Sequence, residues 1–198
     1  MDVFQITTLA LLGIFYTAYF SKTLMLKRQG ITVNLLGKGD KPKDALIIEL
    51  FLRTVTLLGA VVQFGSAVFP KAIWSISVPS IIQIVGIIFI VIGILFFVIA
   101  MLTMQNNWRA GFVSNQNTNL VTNGIYRISR NPAFVGFDLL YLGCVAVFPN
   151  IMNISVALFA IFLFHFQILG EEKHCTITFG NEYSLYKGKT MRYIGVRR

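Results

Sequence analysis

The sequence predicts an all-α, polytopic membrane protein of about five transmembrane helices, and three observations predict it. First, the 198-residue chain is 56% hydrophobic and only 13% charged, with a mean hydropathy of +0.71, whereas a soluble domain carries about 25% charged residues. Second, five apolar runs recur, roughly 3–20, 45–69, 79–104, 133–148 and 151–170. Each is near the ~20 residues that cross a ~30 Å hydrocarbon core, and each must be helical because lipid offers the backbone no hydrogen-bond partner. Third, all but two of the 17 Lys and Arg residues fall in the first loop, the third loop or the C-terminal tail. Five spans put those segments on one side. The positive-inside bias makes that side cytoplasmic and the N-terminus external, and the same charge favours anionic headgroups.

Taken in order, the first run has no basic segment before it, only Asp2, and no small-residue cleavage site after it. It is therefore expected to stay as a helix rather than be removed as a signal peptide. In the second helix Glu49, Arg53, Thr56, Ala60 and Gln63 fall on one face by helical spacing. That face should point into the bundle, with Glu49 and Arg53 paired as i, i+4 neighbours. The third helix carries Gly86, Gly93 and Ala100 at seven-residue steps, a seam where backbones can approach closely. The polar, Asn-rich loop that follows contains Trp108, expected as an interfacial anchor or as a cover over a bound ligand.

The fourth helix holds Asp138. An unpaired aspartate in hydrocarbon costs at least ~2.5 kcal/mol, so a partner is expected among Arg130, Arg127 and Arg53. Pro149-Asn150 then separates two apolar helices, and so short a turn forces an antiparallel hairpin. The hairpin brings Arg127, Arg130 and Asn131 beside Glu171 and Glu172, far away in sequence. The chain thus divides into three N-terminal helices, 1–104, and a functional core, 105–198, made of a loop, the hairpin and a C-terminal cytoplasmic cap.

The sequence argues against several classes. The net charge of +9 is spread over alternate membrane loops rather than gathered in a nucleic-acid-binding patch. Cys144 and Cys175 lie at different depths, which disfavours a disulfide. His165 and His174 lack the Cys or carboxylate spacing of a metal site, and there is no Gly-rich phosphate loop.

The polar residues at the hairpin's open end suit a ligand with mixed chemistry. Arginine matches a carboxylate or phosphate. Glu171 and Glu172 offer acceptors, and Tyr126, Phe134, Phe179 and Tyr183 offer ring faces for a purine or sulfonium. An anionic group, a cationic group, a sugar and a base are what S-adenosylmethionine presents, and ATP and NADPH share only some of them. On spacing alone, the same residues could equally just anchor helix ends.

From about Trp108 onward the chain resembles the isoprenylcysteine carboxyl methyltransferases and their phospholipid methyltransferase relatives. Gly124, Tyr126, Arg130, Pro132 and Gly136 stand in step with the family pattern G-x-Y-x-x-x-R-H-P-x-Y-x-G. Glu171-Glu172, then Phe179-Gly180, Tyr183 and Tyr186 match its second half. Three positions depart: Asn131 replaces the family His, Phe134 an aromatic Tyr, and Gln167 a basic residue four places before the first Glu. The resemblance implies an S-adenosylmethionine-dependent methyltransferase acting on a lipophilic acceptor that enters from the bilayer. It implies a cofactor site of Leu120, Gly124, Tyr126, Arg130, Asn131, Pro132, Phe134, Glu172 and Tyr183, with no metal. Glu171, Gln167 and Arg53 are then expected at the reacting groups. The acceptor left most in question is prenylcysteine, because Gln167 does not neutralise a carboxylate. A phospholipid amine is one alternative. A membrane lipid reductase using NADPH, which shares a similar C-terminal hairpin, is another, and a decayed non-catalytic site is a third.

Overall fold

The computed structural model describes residues 1–39, 41–70, 74–112 and 119–197. Lys71, Arg198 and the middle of the Asn-rich loop, on which parts of the charge and loop readings rest, lie outside the described residues. Five helices follow in order: α1 (Val3–Arg28), α2 (Lys43–Val68), α3 (Ser80–Met104), α4 (Pro132–Val147) and α5 (Ile151–Lys189). Short 3₁₀ turns occupy Gln105–Asn107 and Gly124–Arg127. The described residues contain isolated β-bridges but no strand.

Among the described residues, four helices are long and apolar enough to cross a membrane. The fourth in sequence is not: α4 has 16 residues, about 24 Å at 1.5 Å per residue, short of a ~30 Å core. The expectation of about five apolar helices is met, with α4, expected at 133–148, as the short member. Pro132 fixes its first turn, and the bend at Pro149-Asn150 ends it. The last helix differs in the opposite sense. α5 runs for 39 residues with a break at Gly180; the helical stretch before the break, 151–179, rises about 44 Å, so its apolar part, 151–170, is long enough to span and the helix continues beyond it from Glu171. At Gly180 the backbone leaves helical geometry (φ 52°, ψ −119°), a region that glycine enters without a Cβ clash. That explains the glycine of the Phe179-Gly180 pair.

Small residues decide the tightest contact. A Cβ on Gly93 would lie 2.6 Å from the Gly136 carbonyl oxygen, and one on Gly143 would lie 2.7 Å from that of Gly86. α3 and α4 therefore pack antiparallel, backbone against backbone, and Ala100 continues the seam fully buried. The seam expected from Gly86, Gly93 and Ala100 is present, and its partner is α4.

The bend between α4 and α5 is held by side chains. The Asn153 amide donates to the Asn150 side chain at 2.9 Å, capping α5, while Asn150 Nδ2 donates to Ser66 Oγ at 2.9 Å. At this same end Gln5 Nε2 donates to the Ala67 carbonyl at 2.8 Å. The basic loops meet at the opposite end. Leu35 N–H donates to the Ala110 carbonyl and Ala110 N–H to that of Val33, both at 2.9 Å, which stitches the first loop to the third. Between the ends runs an aromatic ladder. Phe15 and Phe97 rings are 4.7 Å apart, Phe97 and Phe137 5.1 Å, and Phe137 and Phe164 5.1 Å.

Candidate active site

A cavity of about 690 Å³ opens at the basic end and continues between α1, α2, α4 and α5. Its outer wall carries Asn34, Arg53, Arg109, Asn131, Gln167, Glu171, Glu172 and His174, and its inner wall Phe15, Leu57, Phe64, Phe137, Leu140 and Phe164. Phe20 and Leu57 line it yet keep 62% and 64% of their surface exposed, so it also opens sideways between α1 and α2. The volume falls in the ~300–1,000 Å³ range of small-molecule sites.

The antiparallel hairpin brings Arg130 to Glu172. Arg130 Nη2 lies 2.8 Å and Nε 3.1 Å from Glu172 Oε1, which also accepts from Asn131 Nδ2 at 3.2 Å. The other carboxylate oxygen accepts from Arg192 Nη2 at 3.0 Å and Nε at 3.2 Å. Arg130 Nη1 donates to the Thr190 carbonyl at 2.6 Å. One carboxylate thus ties the third loop, α5 and the C-terminal tail together. Burial alone would raise Glu172, but the hydrogen bonds from Arg192 and Arg130 outweigh it and hold the carboxyl below its ordinary value.

Its neighbour is placed differently. Glu171 forms no ion pair among the described residues. It accepts one hydrogen bond, from Gln167 Nε2 at 3.0 Å. Burial pushes its carboxyl up to about 7. The Gln167 bond opposes that rise, Glu49 adds to it and Lys41 reduces it.

Behind Gln167 sits a buried ion pair. Lys41 Nζ is 2.6 Å from Glu49 Oε2 and also donates to the Leu35 carbonyl at 3.0 Å. Gly37 N–H donates to Glu49 Oε2 at 2.7 Å, and Gln167 Nε2 reaches Glu49 Oε1 at 3.4 Å. The expected Glu49–Arg53 pair is therefore corrected. The first loop folds over the start of α2, and its lysine reaches the carboxylate instead. Arg53 is left without an ion pair among the described residues and lines the cavity.

Two further expectations change. Trp108 is no interfacial anchor. It is 5% exposed, sets its ring edge-on against Phe97 at 5.4 Å and lines the cavity. Asp138 meets none of the arginines expected for it, and its Oδ1 is buried with no partner among the described residues. Arg130 is already engaged by Glu172, and Arg127 is exposed. Cys144 and Cys175 are free, and the described residues contain no metal-type cluster.

Of the residues singled out in the sequence, the cavity gathers Arg53, Leu120, Tyr126, Arg130, Asn131, Phe134, Gln167, Glu171, Glu172 and Tyr183. Gly124 and Pro132 are not on its wall. Gly124 turns the chain at φ 56°, against the Thr103 side chain, and Pro132 starts α4. The sequence reading missed the first-loop contribution of Asn34, Leu36 and Lys41. It also missed Phe112, whose ring stacks on His174 at 4.8 Å under the Lys41 ammonium, and Arg192. Two donors on the wall, Trp108 Nε1 and Arg109 Nε, are buried without partners among the described residues.

Two comparisons bear on this geometry. The chain is similar over 73 residues, at 37% identity, to a protein-S-isoprenylcysteine O-methyltransferase of Schizosaccharomyces pombe, a match that covers 35% of this chain and 30% of that relative's length. The phospholipid methyltransferase family matches residues 81–182, which takes in α3, the third loop, α4 and α5 as far as the Gly180 break. That match covers more than half of the chain, and with the Arg130–Glu172 closure and the cavity above it, the protein belongs to the phospholipid methyltransferase family.

Proposed function

We propose that the protein is an integral membrane methyltransferase that draws on S-adenosylmethionine and modifies a lipophilic acceptor entering from the bilayer. One observation carries the reading: a single cavity joins a polar mouth, with Glu171 on its wall, to an apolar arm that opens toward lipid between α1 and α2. A water-soluble donor and a lipid-embedded acceptor need such a meeting place. The basic end lies in the cytoplasm by the positive-inside bias.

The cofactor fits the residues present. The unpartnered N–H groups of Trp108 and Arg109 suit its carboxylate or ribose oxygens, and Tyr126, Phe179 and Tyr183 suit its purine. When bound it supplies an electrophilic methyl group on a sulfonium. The chain's own contribution is positioning and exclusion of water. Arg130, Glu172 and Arg192 fix the third loop and tail around the mouth, and the aromatic ladder lines the dry arm. Asn131, Gly124 and Pro132 act by shaping that loop.

The relative's name points to an isoprenylcysteine carboxylate as acceptor. Such a carboxylate is already ionised at neutral pH and needs no base, and Arg53, which lines the cavity without an ion pair among the described residues, is placed to hold it. A second reading, an amine headgroup, is favoured by the Gln167 amide nitrogen, which is spent on Glu171 and Glu49. An amine must lose a proton before it attacks, and Glu171, with its raised carboxyl, is placed to take it.

Titration calorimetry of the detergent-solubilised protein with S-adenosylhomocysteine tests the cofactor assignment. Stoichiometric binding is expected. Absence of binding, with thermal stabilisation by NADPH instead, would replace this reading with the reductase.

A further inference from the structure

Gln167 Nε2 stands between two carboxylates, 3.4 Å from Glu49 Oε1 and 3.0 Å from Glu171 Oε1. That setting forces the orientation of the amide. Turned over, its carbonyl oxygen would face two acceptors whenever Glu171 is ionised, and nothing would then donate. As it stands, the oxygen accepts no hydrogen bond among the described residues, and Gln167 lines the cavity while being 3% exposed. Glu49 can play this part because Lys41 neutralises it and Gly37 N–H holds it, both from the first loop. Lys41 and Glu49 lie outside the segment matched by the family.

We infer that Lys41 and Glu49 are positioning residues that set acceptor selectivity, by holding the Gln167 amide so that Gln167 and Glu171 meet the acceptor as oxygen atoms only. The inference rests on the methyltransferase reading and deepens it. An oxygen-only wall holds a group that donates hydrogen, such as a primary or secondary amine. It repels a carboxylate, which brings two more acceptors. Removing the Glu49 charge frees the amide to turn and offer its N–H groups to the cavity.

The charges around Glu171 give an independent signature. Glu49 faces it from α2, Lys41 from the first loop and His174 from its own helix. Arg53 and Arg109 line the same cavity, Tyr126 approaches from the third loop, and Glu172 is closed off by Arg130 and Arg192. Glu49→Gln leaves the Lys41 cation uncompensated, which favours ionised Glu171 and moves the acid limb of activity to lower pH. Lys41→Met leaves the Glu49 anion uncompensated and moves that limb to higher pH. Each shift is on the order of one pH unit for the loss of one neighbouring charge.

The test uses the full chain in detergent, with dodecylamine and dodecanoate as probes below their micellar concentrations. The wild type should be stabilised more by the amine, and Glu49→Gln should cut the amine-over-carboxylate preference by about 3–10-fold, one hydrogen bond's worth. Opposite displacements of the pH limb in Glu49→Gln and Lys41→Met complete the expected result. S-adenosylhomocysteine binding is measured on the same samples. Intact binding with an unchanged preference, or with both variants shifting the limb the same way, overturns this inference alone. No binding in the wild type overturns the methyltransferase reading beneath it. If Lys41→Met does not fold, Lys41→Arg keeps the cation and should preserve the preference, and its loss would count against the inference.

Discussion

Glu171 and Glu172 are adjacent in sequence, yet they stand in opposite electrostatic environments. On one side of α5, Glu172 meets two guanidiniums and an amide, and all of them join pieces of backbone that would otherwise part. On the other side, Glu171 meets one neutral amide and a cavity. The difference teaches that a charged doublet carries two jobs. The neutralised member ties loop, hairpin and tail together, and the unneutralised member faces the cavity, where the proposed function gives it the proton transfer. A buried pair is hard to break because its partner is stranded, whereas a half-buried carboxylate with no cation is poised near neutral pH.

Removing one member at a time breaks the comparison most directly. Glu172→Ala strands Arg130, whose side chain is 3% exposed, and should cost about 3–5 kcal/mol, read as a drop in thermal midpoint in detergent. Glu171→Gln should instead leave S-adenosylhomocysteine binding intact and lower kcat for an amine acceptor by about 10²–10⁴-fold. It should also stabilise the fold above neutral pH. The raised carboxyl binds a proton in the folded chain that the unfolded chain has already released between the ordinary 4.5 and about 7. The stability it contributes is therefore lost as pH rises through that window, and glutamine has no such loss. Unfolding of both proteins at pH 5 and pH 8 checks the sign.

A pH–rate profile sharpens the same contrast. With an amine acceptor the rate should fall about tenfold per unit below pH ~7, following Glu171, and the Glu171→Gln variant should lose that limb. The smallest effect belongs to Arg192, a third of whose side chain is exposed. Arg192→Ala should cost about 1 kcal/mol or less, because Arg130 still neutralises Glu172. A loss as large as that of Glu172→Ala would show that the tail rather than the hairpin closes the site.

The sequence made the closure of Arg130 on Glu172 legible because one covalent constraint, the turn at Pro149-Asn150, decides it. The seam of Gly86 and Gly93 was legible because spacing along one helix reveals a face. The Lys41–Glu49 pair was not. Six basic residues crowd the first loop, and only a tertiary fold tells which of them reaches back to the inward face of α2. Asp138 misled for the reverse reason, since proximity in sequence to Arg130 does not supply a partner already engaged elsewhere. The extent of α4 was legible too. The apolar run at 133–148 and the helix Pro132–Val147 have the same length, because Pro132 starts the helix and Pro149 stops it.

The central claim is that donor and acceptor meet in one cavity with a polar mouth and a lipid-facing arm. The most direct measurement is transfer of a labelled methyl group from S-adenosylmethionine into membrane lipid by the wild type and by Ala60→Trp, which fills the arm on α2. Label should enter the lipid fraction with the wild type. In Ala60→Trp, transfer should be lost while S-adenosylhomocysteine still binds at the mouth. Undiminished transfer in Ala60→Trp, or no label in lipid with the wild type, would contradict the account.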